Sequence, residues 1–203
     1  MIIKDKLSIR AGFLTLVIMV TITLSFSACS KTPAAEIRKD EWSRPVAKSS
    51  VSNLYKVDHK LYRSAQPDRD GFVELYKLGI RHDLNLRQFN GDAKYLKGID
   101  IKEYRIRVRT DIKSYEELVE AVRFIVNAKE PVLVHCRHGS DRTGTVVAGY
   151  RIAAENWSKE DALDEMMHGG YGHHKIFENL RELLRSLDVE QFKADVRGET
   201  YEK

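Results

Sequence analysis

Cysteine is scarce in this chain: 203 residues hold only two, Cys29 and Cys136. If Cys29 belongs to a processing signal, Cys136 has no partner, which excludes a disulfide framework. An unpaired thiol in an oxidising compartment is a liability unless it has chemistry to do. A one-signed charge is lacking too. The formal net charge is +4. Lys4, Lys6 and Arg10 against Asp5 leave +2 on residues 1–28 and +2 on everything after. So small an excess gives no argument for a nucleic-acid partner and is compatible with an anionic substrate. No metal-ligand cluster stands out. His173 and His174 are adjacent, but no cysteine or clustered carboxylates accompany them, so they read as loop histidines. Internal repeats and a second domain are absent as well. The length suits one domain with a real core plus tails.

What is present begins with an export signal. Lys4, Lys6 and Arg10 make a positive start, Ala11 to Phe26 an apolar stretch, and Ser27-Ala28 a small-residue site before Cys29. Phe26-Ser27-Ala28-Cys29 resembles a bacterial lipoprotein box, although Phe26 stands where leucine is usual. That resemblance implies a signal over 1–29, lipidation of Cys29 and, with Ser30 next to it, the outer membrane. An uncleaved anchor is the alternative, since the apolar stretch is near the lower length limit for spanning. Either places the protein as exported and membrane-attached, on the periplasmic side or at the cell surface. Residues 30–52 are polar and read as a tether, with Trp42 unexplained. The remaining organisation is a domain over 53–187 and a charged tail over 188–203.

The chemistry centres on His135-Cys136-Arg137-His138-Gly139-Ser140-Asp141-Arg142-Thr143-Gly144. The apolar run Pro131 to Val134 before it predicts a buried strand, and Thr145 to Ala154 after it a helix. A loop curling from a strand into a helix N-terminus can aim successive backbone N–H groups at one anion. Gly139 permits the curl, and Gly144 lets the helix pack near the loop. Arg142 can fork two phosphate oxygens. Cys136 would lie beneath the phosphorus, its thiolate stabilised by Arg142 and the helix end. Thr143 can donate to the sulfur. Arg137, His138, Gly139, Ser140, Asp141 and Arg142 would line the substrate phosphate.

This loop resembles the phosphate-binding signature of the cysteine-dependent protein tyrosine and dual-specificity phosphatases, and its H-C-x-x-G-x-D-R-T-G form looks most like the bacterial and atypical dual-specificity branch. Leu61-Tyr62-Arg63-Ser64-Ala65-Gln66-Pro67 and Asn85-Leu86-Arg87 are similar to other segments of that branch. The resemblance implies an α/β fold, with a parallel-rich central sheet flanked by helices and the loop at a strand's C-terminal end. It also implies a two-step hydrolysis of phosphomonoesters through a phosphocysteine, without metal or cofactor, on phosphotyrosine or a related substrate. Asp111, between the penultimate strand and the next helix, matches the position of the family's general acid; Asp92 and Asp141 compete for that role. Arg87 either braces the loop or pairs at the surface. Relatives often carry lysine before the loop aspartate, which accompanies phosphoinositide activity; Ser140 stands there in this chain. Inositol phosphates and phosphoinositides remain alternative substrates, and a non-catalytic phosphate-binding module and a sulfurtransferase remain alternative functions.

Along the domain, short strands are expected around a turn at Asp58-His59. A helix from Asp68 to Gly79 and strands over 80–87 and 99–108 follow. Arg105, Arg107 and Arg109 flank the last as a solvated face or a basic rim. Ser114 and Glu117 predict a capping box for a helix striped by Leu118, Val122 and Ile125. Ser158 caps another helix. Ile176 to Leu187 form a last one, and the chain from Asp188 is expected to fray.

Overall fold

The structure is a computed structural model, described here for residues 39–109 and 115–199. The chain divides into units 1–35 and 36–203; the expected signal, Cys29 and Asp111 lie outside the described residues.

Six strands form one mixed sheet: β1 (Arg44–Pro45), β2 (Tyr55–Lys56), β3 (Leu61–Ser64), β4 (His82–Asn85), β5 (Lys102–Arg105) and β6 (Val132–His135). Their order is β1-β2-β3-β6-β4-β5. β3, β6, β4 and β5 run parallel, and β1 and β2 add an antiparallel meander at one edge. The parallel-rich sheet expected from the sequence is therefore present. The strands expected over 80–87 and 99–108 are shorter, at four residues each. Side-chain alternation sorts residues to two faces. Val132 and Val134 join Leu61, Leu84 and Leu86 in the larger core cluster. Leu133 joins Tyr62, Phe72, Leu75 and Ile80 in the smaller one.

Helices α1 (Arg69–Lys77) and α2 (Ala93–Leu96) cover the smaller cluster. The Asp68 carboxylate caps α1 by accepting from Gly71 N at 2.8 Å. Helices α3 (Tyr115–Asn127), α4 (Asp141–Ala154), α5 (Lys159–His168), α6 (Glu178–Arg185) and α7 (Val189–Arg197) build the other layer. α3 buries Leu118, Val119, Val122 and Ile125 as one stripe. α4 is buried nearly all round, because α3, α5, α6 and α7 surround it. Ser158 caps α5, accepting from Asp161 N at 3.0 Å. Among the described residues no helix is long and apolar enough to cross a membrane.

Two boundaries need correction. The segment from Asp188 does not fray: Asp188 caps α7, Phe192, Ala194 and Val196 are buried, and Gly198 ends the helix in the left-handed region at φ +76°. The tether also ends earlier than residue 52. Trp42 is 5% exposed. Ser43 donates from its N–H and its hydroxyl to Glu165 Oε1, each at 2.6 Å. Glu165 in turn accepts from Arg151 Nε at 2.9 Å. Burial of Trp42 and satisfaction of Glu165 dock this stretch onto α4 and α5.

Candidate active site

The loop from Cys136 to Ser140 leaves the C-terminal end of β6 and turns directly into α4, which starts four residues before the helix read from the sequence. Asp141, Arg142 and Thr143 thus form its first turn. Ser140 occupies the N-cap position without capping. Its hydroxyl donates instead to the Tyr171 carbonyl at 2.7 Å. The first N–H groups of α4 are therefore not consumed by their own cap, as anion binding at a helix N-terminus requires.

Gly139 makes the curl possible. Its φ is +71°, and a Cβ there would meet Ser64 C and O at 2.4 Å. Only glycine fits so close a backbone approach. Beneath it lies Arg63, fully buried. Arg63 Nη2 donates to the Gly139 carbonyl at 2.9 Å, and the guanidinium stacks 3.6 Å from the Tyr171 ring centroid. Asn53 Nδ2 ties the loop to the same turn, donating to the carbonyls of His138 and Tyr171.

Cys136 is 3% exposed. Burial alone would push its thiol up. The Thr143 hydroxyl, the Arg142 guanidinium and the N–H groups of Thr143 and Gly139 outweigh it and hold the thiol below its ordinary value. The Thr143 hydroxyl is buried and has no other partner among the described residues, so it stays available to the sulfur. Arg142 Nη1 donates to the carbonyls of Leu86 and Val108, both at 3.3 Å. Those contacts aim the fork across the strand ends.

The structure also sorts the candidate acids. Asp92 is fully buried. It accepts from Gln66 Nε2, Asn85 Nδ2 and Arg87 Nη2 at 2.6–2.7 Å. Arg87 therefore pairs inward with Asp92, bracing the strand end rather than sitting at the surface. Asp141 accepts from the backbone N–H and Nδ1 of His174, both at 2.8 Å, and lies 3.1 Å from His173 Nδ1. Burial pushes its carboxyl up, but these histidines win and hold it at about 2. Asp141 is thus held as an anion, a poor proton donor, and the Asp92 oxygens are taken up by three donors inside the domain.

His135 is fully buried, and its Nδ1 lies 3.2 Å from the Cys136 carbonyl oxygen. Its Nε2 lies 2.9 Å from Asp83 Oδ1 and 3.2 Å from Asp92 Oδ2. Arg137 and His138 are exposed. Arg137 and Arg142 line a groove of about 510 Å³ with Gln66, Arg87, Gln88, Phe89 and Asn90, and Phe89 at its rim is 81% exposed.

Sequence reasoning assigned no role to Tyr171 or Asp83, and Arg63 entered only as part of a segment similar to one of the family's. Arg63 and Asp83 lie in short strands that already mix polar with apolar residues, so nothing local marked them. Tyr171 carried no signal either.

The chain matches the family described as Tyrosine phosphatase family over residues 50–199. The dual specificity protein phosphatase TpbA of Pseudomonas aeruginosa is 31% identical over 158 residues, 77% of this chain and 71% of TpbA. A crystal structure of TpbA in complex with pTyr superposes with a TM-score of 0.71 at 29% identity, covering 79% of this chain and 98% of that one. The inositol diphosphatase DSP5 of Arabidopsis thaliana is 30% identical over 128 residues, 56% of this chain and 59% of its own. A loop, a lowered thiol and an arginine fork of the kind described above are thus carried on a matching fold, and the chain belongs to the tyrosine phosphatase family as a cysteine-dependent phosphatase of its bacterial dual-specificity branch.

Proposed function

We propose that this chain hydrolyses phosphotyrosine esters, with Cys136 as nucleophile, Arg142 and the loop N–H groups as phosphate binders, Thr143 as the sulfur's hydrogen-bond donor and Asp111 as general acid. The observation that carries the reading is the lowered thiol of buried Cys136 at the N-terminus of α4. Cys136 Sγ attacks phosphorus and the ester P–O bond breaks. The leaving oxygen takes its proton from Asp111. Arg142 and the N–H groups hold the three equatorial oxygens as charge spreads over them. Water then attacks phosphorus while giving its proton to Asp111, and the P–S bond breaks to release phosphate and the thiolate. Commitment of Asp92 and Asp141 elsewhere supports Asp111 by elimination. The complex of TpbA with pTyr supports the aryl substrate.

A second substrate reading is an inositol phosphate. The Arg137 side chain makes no hydrogen bond or ion pair among the described residues and sits in the groove beside Arg142. The inositol diphosphatase relatives share 28–30% identity with this chain. The N-terminal reading also stands as a proposal: a signal over 1–29, lipid on Cys29, and attachment to a membrane outside the cytoplasm.

One assay tests the catalytic reading. Residues 30–203 are compared as wild type, Cys136→Ser and Asp111→Asn, in chelator, on a phosphotyrosine peptide, an activated aryl phosphate and an inositol phosphate panel. Cys136→Ser should abolish turnover and still bind vanadate; undiminished hydrolysis would sink the assignment. Asp111→Asn should lower kcat on the peptide by roughly 100-fold and far less on the activated ester, whose leaving group needs no proton.

A further inference from the structure

We propose that Asp83 is a positioning residue for the catalytic loop: from β4 it orients the His135 ring that carries the Cys136 carbonyl, and through that ring it fixes the sulfur. The inference rests on the proposed role of Cys136.

The argument starts from an expensive placement. Asp83 is fully buried in β4, between His82 and Leu84 in a strand that otherwise packs the sheet. Strand register sets it opposite Leu133, with Asn85 opposite His135. A buried carboxylate needs a partner. Yet neither Asp83 oxygen makes an aligned hydrogen bond among the described residues. Its one close contact is His135 Nε2, 2.9 Å from Oδ1. Asp92, the second carboxylate near that ring, is already satisfied by Gln66, Asn85 and Arg87. Asp83 has no such alternative.

The ring's two nitrogens face opposite demands. Nδ1 meets the carbonyl oxygen of Cys136, and Nε2 meets two carboxylates without a straight hydrogen bond to either. All three neighbours are acceptors. A neutral imidazole has one N–H and can serve only one side. An imidazolium serves both. The groups facing it are Asp83 and Asn85 from β4, Arg87 just after β4, and Asp92 before α2. Glu103 of β5 accepts from Asn85 Nδ2 and Asp92 N, and the Phe72 ring of α1 stands edge-on at 6.4 Å. Burial alone would lower the imidazole's pKa, but Asp83 and then Asp92 outweigh it and raise it; burial likewise pushes the Asp83 carboxyl up against the pull of that ring. Asp83 thus keeps a donor on the Cys136 carbonyl at the pH where the thiolate must form.

The test uses residues 30–203. In the wild type at pH 8, nitrogen-15 NMR should show both His135 ring nitrogens protonated; a neutral ring would overturn the proposal without any variant. Asp83→Asn and Asp83→Leu should each raise the midpoint of the Cys136 alkylation rate against pH by about one unit, the effect of a displaced charged neighbour. kcat on an aryl phosphate should fall by roughly tenfold with KM little changed. Asp83→Leu removes one partner of a buried pair, so it should also melt lower than wild type, and the midpoint and kcat are the readouts that separate positioning from stability. A lower melting temperature with midpoint and kcat unchanged would make Asp83 merely structural. One divalent ion per chain in the purified protein would also overturn the proposal, because Asp83, Asp92 and His135 would then be ligands. If wild type lacks Cys136-dependent hydrolysis, the functional reading fails, whereas the ring protonation and the alkylation midpoint still decide the role of Asp83.

Discussion

Asp141 stands in the phosphate loop yet faces away from phosphate chemistry. Its carboxylate anchors the turn at His173 and His174. His173 Nε2 lies 2.7 Å from Arg181 Nη1. A guanidinium can only donate, so that nitrogen accepts, and the ring's proton sits on the side of Asp141. The folded carboxyl, at about 2, lies below its ordinary 3.8. A depressed acid stabilises the fold above its unfolded pKa, and that contribution is lost as pH falls from 4 toward 2. Melting temperature measured against pH should therefore drop over this window by more in wild type than in Asp141→Asn. Parallel curves would show that the carboxylate contributes nothing. The loop was legible residue by residue because its chemistry is local: Cys136, Gly139, Arg142 and Thr143 lie within eight positions. Arg63, Asp83 and Tyr171 were not, because each acts on a partner more than 30 residues away.

Helices with a cap or an apolar stripe could be read in advance, as α1 and α5 show by their caps and α3 by its stripe; Ser114, the expected cap of α3, lies outside the described residues. The two-residue β1 could not, since a period of two needs more than one repeat, whereas β2 and β3 fall where short strands were expected around Asp58-His59. The misread helix is α7. Its charged residues hid the apolar side chains, although Asp188 and Gly198 at its ends are ordinary start and stop signals. Phe192 is fully buried and meets the Tyr115 ring at 6.1 Å. It also packs where Gly149 of α4 lacks a side chain. Phe192→Ala should cost about 3–5 kcal/mol, read as a lower urea midpoint at unchanged slope. A loss under 1 kcal/mol would mean that α7 adds little to the domain.

Strand order was beyond periodicity altogether. Local patterns say which segments are strands, whereas β3 beside β6 and β6 beside β4 are decisions of the whole chain; the family resemblance implied a parallel-rich sheet but no order. The proposed export reading belongs to the whole molecule too. Full-length protein expressed in a bacterium should incorporate a tagged fatty acid and sediment with membranes, and Cys29→Ser should lose the label. Labelling that survives this substitution would remove the lipoprotein reading. The cup that holds the sulfur draws its parts from far along the chain: Ser64 and Arg63 from upstream, Tyr171 from downstream. A nascent or clipped polypeptide ending before residue 171 contains every loop residue and still lacks the ring on which the buried guanidinium rests. The support beneath the cup is therefore completed late in the synthesis of each molecule, after every residue of the loop itself has been made.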